Sequence, residues 1–361
     1  MLKRTPHLSR RTLLKTGAAA SVTLAAPAVF AQTSQVLTVA GDTSGTYGEA
    51  WRDLIIRPFA EETGIEVRHV PTQENASEVI AMVDTGNYNF DCCFVGGQNV
   101  VAQLTERGYL EEIDASGAQV SEIPDGMKTP YYIESEVLAS ILAYRTDTIS
   151  SPLKNHADMW NIDGIPGRRS LRRQARDTFE TTLRALGKPL TDETYAALLT
   201  PEGQAEIFEA LEQIAPAIPV WWDDGRQSMT LMQNGEVDII NTFNARMQVP
   251  IDEGAPIKIV WNEGRTSSIG HFIPKGAPNI ENANRFINYA LRPEKQAELA
   301  MITTNGPTHP EAIDFVSQER QPNLPTFPEN YAQMHPLNFS FWAENLEPLQ
   351  NAMTEWLLMR G

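Results

Sequence analysis

Cysteine is nearly absent from this chain, whose 361 residues include only Cys92 and Cys93, side by side. Adjacent cysteines cannot form a Cys-x-x-Cys motif, and the six histidines are scattered, so no side chains have the spacing of a metal site. We therefore expect no metal and no other cofactor. Because both thiols lie in an apolar run, we predict two small buried side chains, with a vicinal disulfide as the alternative.

Basic charge is scarce as well, because 29 lysines and arginines stand against 46 acidic residues, for a net charge of −17. The first 31 residues hold five of the basic residues and no acidic one, so the remaining chain is still more acidic. Such a surface repels nucleic acid and anionic lipid, and neither is an expected partner. It attracts cations, but it does not identify a ligand, since most of this charge lies on solvated faces.

Long apolar runs are missing beyond the N-terminus, so we expect no segment that spans a membrane. The N-terminus itself has a twin arginine, Arg10-Arg11, and then an Ala-rich apolar stretch at 17–30. This pattern predicts a twin-arginine export signal over residues 1–31, cleaved near Ala31, and a soluble protein in the periplasm. A general secretory signal or a retained anchor is the alternative.

Motifs of catalysis are also missing. The chain has no G-x-S-x-G, no P-loop and no G-x-G-x-x-G after a strand. We expect no enzymatic activity, and an exported oxidoreductase would need cysteine or histidine clusters that the sequence lacks.

What is present is a regular alternation of strands and helices. A strand at 36–40 leads through a Gly-rich turn at 41–48 to a helix that Gly64 ends. Further strands are predicted at 65–70 and 90–95, with helices between them. This order predicts a parallel sheet covered by helices on both faces, and a second αβ unit follows later in the chain. The fold class is therefore α/β.

Several segments, in order along the chain, resemble the extracellular solute-binding proteins of the spermidine/putrescine type. Each is short, and their shared order carries the resemblance. They are RPFAEETGIEV at 57–67, FDCCFV at 90–95, GYLEEID at 108–114, IPGRRSL at 165–171, GEVD at 235–238 and FIPKGAPN at 272–279.

The resemblance implies a two-lobed, periplasmic binding protein-like (type II) fold, with a ligand cleft between lobes joined by crossing strands. We assign residues 32–140 and 246–305 to lobe one, and residues 141–245 and 306–361 to lobe two. The chain is expected to cross between the lobes near 138–146 and 240–250.

The resemblance also implies a function. We predict a monomeric substrate-binding protein of an ABC uptake transporter. It would capture a small amine-bearing solute, polyamine-like or an ω-amino acid, by hinge closure and deliver it to permease subunits in the inner membrane. A carboxylate or amino-acid ligand, or a role in chemoreception, is the alternative.

Candidate ligand residues lie where strands turn into helices, because open α/β sheets bind ligands beyond the carboxyl ends of their strands. The resemblance itself assigns Asp177 and Phe243 to ligand positions of polyamine receptors. Lobe one contributes Ser44, Thr46, Tyr47 and Gln98, and lobe two contributes Asp177, Trp222, Arg226, Phe243 and Arg246.

The polyamine pattern is only partly kept. Arg173 and Gln174 stand where polyamine receptors carry an acid, and TSSI at 266–269 replaces an aromatic-plus-acid segment. An acid and an arginine in one cleft fit a zwitterion better than a polyamine, because a guanidinium binds a carboxylate through two hydrogen bonds. Each residue also has a structural alternative: Trp222 in the core, Asp224 as a helix cap, and the arginines in surface ion pairs.

Overall fold

The structure, a computed structural model, describes residues 36–72 and 76–360, and the predicted export signal lies outside the described residues. In that part of the chain no helix has the length and apolar character needed to cross a membrane. The strands are β1 (Val36–Gly41), β2 (Glu66–Pro71), β3 (Cys92–Gly97), β4 (Leu110–Glu111), β5 (Lys128–Thr129), β6 (Tyr132–Arg145), β7 (Arg169–Ser170), β8 (Ile239–Phe243), β9 (Ile257–Pro274), β10 (Gly306–Pro307) and β11 (His335–Pro336).

Helices connect these strands on both faces of the sheet. A π-helical segment, Trp51–Ile56, joins α1 to α2 without a break. The α-helices are α1 (Gly45–Ala50), α2 (Arg57–Thr63), α3 (Ala76–Thr85), α4 (Gln98–Glu106), α5 (Ala118–Glu122), α6 (His156–Trp160), α7 (Ala175–Ala185), α8 (Asp192–Ala197), α9 (Pro201–Ile214), α10 (Gly225–Gln233), α11 (Asn244–Asp252), α12 (Ile280–Ala290), α13 (Pro293–Thr303), α14 (Pro328–Tyr331) and α15 (Phe339–Leu358).

The sheet has the strand order β2-β1-β3-β9-β6-β8-β7. β1 pairs in parallel with β2 and β3, and β7 with β8, as the alternation of strands and helices predicts. The two long central strands differ, because β9 runs antiparallel to both β3 and β6. The predicted parallel sheet is therefore confirmed for β1, β2 and β3, while at the centre the antiparallel strands β6 and β9 join the outer groups of strands into one hydrogen-bonded network.

The structure corrects the position of the second predicted crossing between the lobes. The predicted crossing at 240–250 is occupied by β8 and the start of α11, and the strand that runs between the two halves is β9. The sequence predicts only the beginning of that strand, because Asn262, Glu263 and Gly264 interrupt its apolar pattern.

The hydrophobic core is divided along β6 and β9. A first cluster packs β1, β3, α4 and α12 against Ile133 of β6 and Phe272 of β9. A second packs α7, α9 and α15 against Leu142 of β6 and Val260 of β9. We call the parts of the chain around these two clusters the first and second lobe. The lobe boundaries predicted from sequence stay a prediction, and Val260 packs in the second lobe although it was assigned to the first.

Alternation along β6 explains how the second lobe covers both faces of its sheet. Leu142 and Tyr144 point into the second cluster, whereas Ile141 and Ala143 point into a third cluster with Leu231 of α10 and residues of α11. Successive side chains of a strand face opposite sides, so an uninterrupted apolar run needs helices on both.

Two carboxylates hold the loops between these elements. Asp91, just before β3, accepts hydrogen bonds from the backbone N–H of Thr38 at 2.7 Å and from the side chain of Asn279 at 3.0 Å. Asp238 accepts from the Arg168 side chain at 3.0 Å and from its backbone N–H at 2.8 Å. Apart from Thr38, these residues lie in the segments that carry the family resemblance, which therefore reports the scaffold more than the ligand.

Candidate functional site

The first lobe contains a cluster of polar side chains at the beginning of β6, facing the turns that follow β1 and β3. Its centre is a pair of acids, Glu134 and Glu136, which are 6% and 3% exposed. We call it the acidic cluster, and its members are Tyr47, Trp51, Gln98, Glu134, Glu136, Ser268 and Asn305.

Glu136 is held by three neutral donors. The Tyr47 hydroxyl donates to its Oε1 at 2.5 Å and the Trp51 indole N–H donates to the same oxygen at 3.1 Å. Asn305 Nδ2 donates to Oε2 at 2.8 Å. Trp51 begins the π-helical segment, a rare geometry that occurs often at functional sites.

Glu134 has fewer partners than Glu136. The side-chain amide of Gln98 donates from Nε2 to Glu134 Oε1. The same Nε2 also donates to Ser268 Oγ at 2.8 Å. Gln98 is the first residue of α4, directly after β3, so its position at the carboxyl end of a strand agrees with the prediction.

Neither acid of this pair forms an ion pair with any residue that the structure describes. Burial raises the pKa of Glu134, and the hydrogen bonds from Ser268 and Gln98 offset only part of that effect. Burial likewise raises the pKa of Glu136 against the hydrogen bonds from Tyr47, Asn305 and Trp51. The cluster thus holds two desolvated carboxyl groups that have no positively charged partner in the part of the chain that the structure describes.

The second lobe presents an aromatic pair with a cation over it. Trp222 and Phe243 meet edge to face, with ring centroids 5.9 Å apart. The guanidinium carbon of Arg172 lies 5.1 Å from the ring centroid of Trp222 and 5.3 Å from that of Phe243. Trp222 itself is buried and donates its indole N–H to the Asn241 carbonyl at 3.0 Å, as the structural alternative for this residue predicts.

Behind Arg172 lies a buried ionic network. Asp177 pairs with Arg172 at 2.7 Å and with Arg265, which also contacts Glu180 at 3.3 Å. Burial alone would raise the pKa of Asp177, but the charges of Arg265, Arg176 and Arg172 outweigh it and lower that pKa. We call these side chains the ionic network.

The ionic network leaves little free space. The cavity beside it measures about 10 Å³, which is about the space of one water molecule. This geometry favours a supporting position for Asp177 behind Arg172, and its direct contact with a ligand stays a prediction.

The other predicted residues lie at the rims of the two lobes. Ser44 and Thr46 are exposed at the start of α1. Arg226 and Arg246 are exposed near the N-terminus of α10, where Asp224 caps the helix by accepting from the backbone N–H of Arg226 at 2.8 Å. Their ligand roles stay predictions, while the capping alternative for Asp224 is confirmed.

The sequence did not single out Glu134, Glu136, Asn305 or Arg172. One signal was available, because Glu134 and Glu136 interrupt a strand that is otherwise almost entirely apolar. Acids at such positions are rarely placed there for packing. Asn305 and Arg172 gave no such signal, because their neighbours are also polar.

The two cysteine side chains of β3 are buried, as predicted. Burial raises the pKa of the Cys92 thiol well above its ordinary value, which disfavours the reactive thiolate form. Among residues 36–72 and 76–360, no group of acidic, histidine or cysteine side chains is arranged to hold a metal ion.

Two similar proteins of known name are both solute-binding proteins. The chain is 28% identical over 333 residues to the gamma-aminobutyric acid-binding protein of Pseudomonas aeruginosa, covering 92% of this chain and 93% of that protein. It is 24% identical over 277 residues to the spermidine/putrescine-binding periplasmic protein of Salmonella typhimurium, covering 72% of this chain and 76% of that protein.

A solved structure agrees over nearly the whole described chain. The ABC transporter substrate-binding protein from Bradyrhizobium japonicum USDA 110 superimposes with a TM-score of 0.77 at 29% identity, covering 90% of this chain and 99% of that one. The predicted two-lobed fold and the predicted function as a substrate-binding protein of ABC transporters are confirmed. Residues 55–326 match the family model as well, and the chain belongs to the bacterial extracellular solute-binding proteins.

Proposed function

We propose that this protein captures a small amine-bearing solute, an ω-amino acid such as 4-aminobutyrate, between its two lobes and catalyses no reaction. The single observation that carries the proposal is the acidic cluster. Glu134 and Glu136 are almost fully buried, and within the described residues neither has a cationic partner.

A buried carboxylate without a positive neighbour is costly, since its desolvation is not repaid by an ion pair. A ligand ammonium group would supply the missing charge and the missing donors. Glu134 is the better candidate for direct contact, because the structure gives its carboxylate fewer donors than that of Glu136. Glu136, with three donors, would set the local field and hold Tyr47 in place.

The other end of the ligand would meet positive charge. In the second lobe Arg172 lies over Phe243, and Arg226 and Arg246 lie close to Asp224, so that a carboxylate there would be stabilised by charge-assisted hydrogen bonds. The relative named for gamma-aminobutyric acid carries both kinds of end group in its ligand, and its similarity over 92% of this chain supports the choice.

Capture would follow from closure of the two lobes. A ligand that touches both lobes makes its full set of contacts only when they are closed, and therefore shifts the population towards that state. We further propose export to the periplasm through a twin-arginine signal, a monomeric protein, and delivery of the solute to an inner-membrane permease.

Calorimetry with four probes of similar length tests this proposal: 4-aminobutyrate, butylamine, butyrate and putrescine. We expect the tightest binding with 4-aminobutyrate, weaker binding with butylamine and the weakest with butyrate, because only the amine supplies a partner for the acidic cluster. Tight butyrate binding with no response to any amine would contradict the proposal. The melting temperature should rise with the same ranking, since a ligand that binds only the folded state stabilises it.

A further inference from the structure

The aromatic pair of the second lobe already has a cation bound to it, and that cation belongs to the protein. The Arg172 guanidinium lies within 5.1 Å of the Trp222 centroid and 5.3 Å of the Phe243 centroid, inside the range of cation–π attraction. Trp222 is 1% exposed, whereas the side chain of Arg172 is 20% exposed. Positive charge therefore lies outside the buried ring of Trp222, while Phe243 itself is half-buried.

Arg172 is fixed in this place by several contacts. Its Nη1 donates to Asp177 Oδ2 at 2.7 Å and to Gln174 Oε1 at 2.8 Å, and its Nε donates to the Asp223 carbonyl at 3.4 Å. Among the described residues, Nη2 has no acceptor. The guanidinium is thus held through Nε and Nη1, and Nη2 keeps its N–H groups for a further partner.

Neutralising Asp177 does not require Arg172. Asp177 also pairs with Arg265 and lies in the field of Arg176, so its carboxylate would keep positive neighbours without Arg172. Within the ionic network, the charge of Arg172 is therefore not needed to pair Asp177. Arg172 is also the member of the network whose guanidinium lies over the aromatic pair.

We propose that Arg172 is a specificity-determining residue, which occupies the aromatic pair with the protein's own cation and so excludes solutes that carry a second ammonium group. This inference rests on the proposed function, in which the acidic cluster takes the first ammonium. A second positive charge within about 4–6 Å of a fixed guanidinium is disfavoured, and the Arg172 guanidinium already lies over both of the rings that could attract it. An anionic end would instead accept a hydrogen bond from Nη2. The ligand class is thereby narrowed from amines in general to monoamines with a neutral or anionic far end.

The test compares the ligand preference of the Arg172→Met variant with that of the wild type. This variant keeps an unbranched apolar side chain over the rings and leaves Asp177 paired with Arg265. Calorimetry should show the affinity ratio of 4-aminobutyrate to putrescine falling by at least about tenfold, the size of one charge-assisted interaction. Arg68→Met is the control, because it removes the same charge from an exposed arginine in β2, and it should leave the ratio within about twofold. A ratio in Arg172→Met equal to that of the wild type would overturn the inference.

A second measurement uses the wild type alone, so the inference can be tested even if Arg172→Met folds poorly. In the wild type, putrescine should bind at least about tenfold more weakly than butylamine, because the two differ only by the second ammonium group. Putrescine binding as tightly as butylamine would again overturn the inference.

The failures of the two proposals are distinguishable. If the wild type binds no amine, the proposed function is wrong, and the inference that rests on it is overturned as well. If the wild type binds 4-aminobutyrate but its preference does not depend on Arg172, the function stands and the specificity residue is wrong.

Discussion

The second lobe buries Asp177 and Glu180 among arginines, whereas the first lobe buries Glu134 and Glu136 among neutral donors. The four carboxylates are similarly desolvated, with at most 6% of each residue exposed. Burial raises the pKa in every case, but in the second lobe Arg265 reverses the effect and the pKa of both acids is lowered. In the first lobe the hydrogen bonds offset it only in part, and both pKa values are raised.

The difference is that the buried acids of the second lobe already have cationic partners within the protein, whereas those of the first lobe have only neutral donors. A buried carboxylate that already has its cation stabilises the fold and has little to offer a ligand. A buried carboxylate that lacks one destabilises the free protein, and that same deficit favours a ligand that brings the charge. Stability and binding should therefore respond in opposite ways to changes in the two lobes.

Removal of the central cation of the ionic network should have the largest effect. Arg265→Met leaves Glu180 without its arginine and Asp177 with a weaker set of partners, both in a buried setting. We expect a loss of about 3–5 kcal/mol in the free energy of unfolding, measured by urea denaturation at pH 7. Arg57→Met, which breaks an exposed ion pair with Asp53, is the control and should change the midpoint very little. An unfolding midpoint of Arg265→Met near that of the wild type would show that the network does not stabilise the fold.

The matching change in the first lobe should behave differently. Glu134→Gln keeps an acceptor for Gln98 and removes an unbalanced buried charge, so the free protein should be as stable as the wild type or more so. Amine affinity should fall by about 2–3 kcal/mol, because the ligand ammonium loses its ion pair. Calorimetry and thermal melting of the same samples measure both quantities. A clear loss of stability with unchanged affinity would reverse the interpretation of the two lobes.

The sequence allowed the scaffold to be predicted better than the site. The parallel pairs around β1 follow from local alternation, and Gly64 ends α2 with φ = 71°, a conformation that glycine adopts without strain. The length of β9 was missed, because polar residues interrupt its apolar pattern while tertiary pairing with β6 maintains the strand.

The site was harder to predict because its defining property is a missing partner. Tyr47 and Gln98 were found from their positions after strands, and both contact the acids of the cluster. The acids themselves were missed, since a single sequence does not show whether a buried carboxylate has a cation beside it. Arg172 was missed for a related reason, as its stacking on Trp222 and Phe243 joins three separate parts of the chain.

A third prediction concerns His271, a buried neutral side chain in the first lobe. In the described structure neither ring nitrogen has a hydrogen-bond partner, and its neighbours are the rings of Trp51 and Phe286. Burial lowers the pKa of His271 from 6.5 to about 3. As the pH falls below 6.5, the unfolded chain binds a proton that the folded chain does not, so stability present above pH 6.5 is lost progressively towards pH 3.

The variant His271→Leu removes this proton linkage. At pH 5 the wild type should have lost about 2 kcal/mol through this group, and the variant should not. Urea denaturation at pH 7 and pH 5 measures the difference, and the loss between the two values should be smaller in the variant by about that amount. Identical losses in the two proteins would mean that His271 is protonated in the folded state.

The smallest expected effect tests how the neutral donors act on the acidic cluster. Asn305 Nδ2 donates to Glu136 Oε2 at 2.8 Å, and this bond favours the ionised carboxylate against the effect of burial. Asn305→Ala should therefore raise the pKa of Glu136 further. We compare amine affinity at pH 8.5 and at pH 6. The loss of affinity in Asn305→Ala should be larger at pH 6, because a carboxyl with a higher pKa is protonated to a greater extent there and binding of an ammonium must release that proton. Asn262→Ala, whose side chain bonds only to a backbone carbonyl at 2.9 Å, is the control and should show no such dependence. An equal loss of affinity at both pH values would mean that Asn305 contacts the ligand directly, and that the neutral donors do more than keep Glu136 ionised.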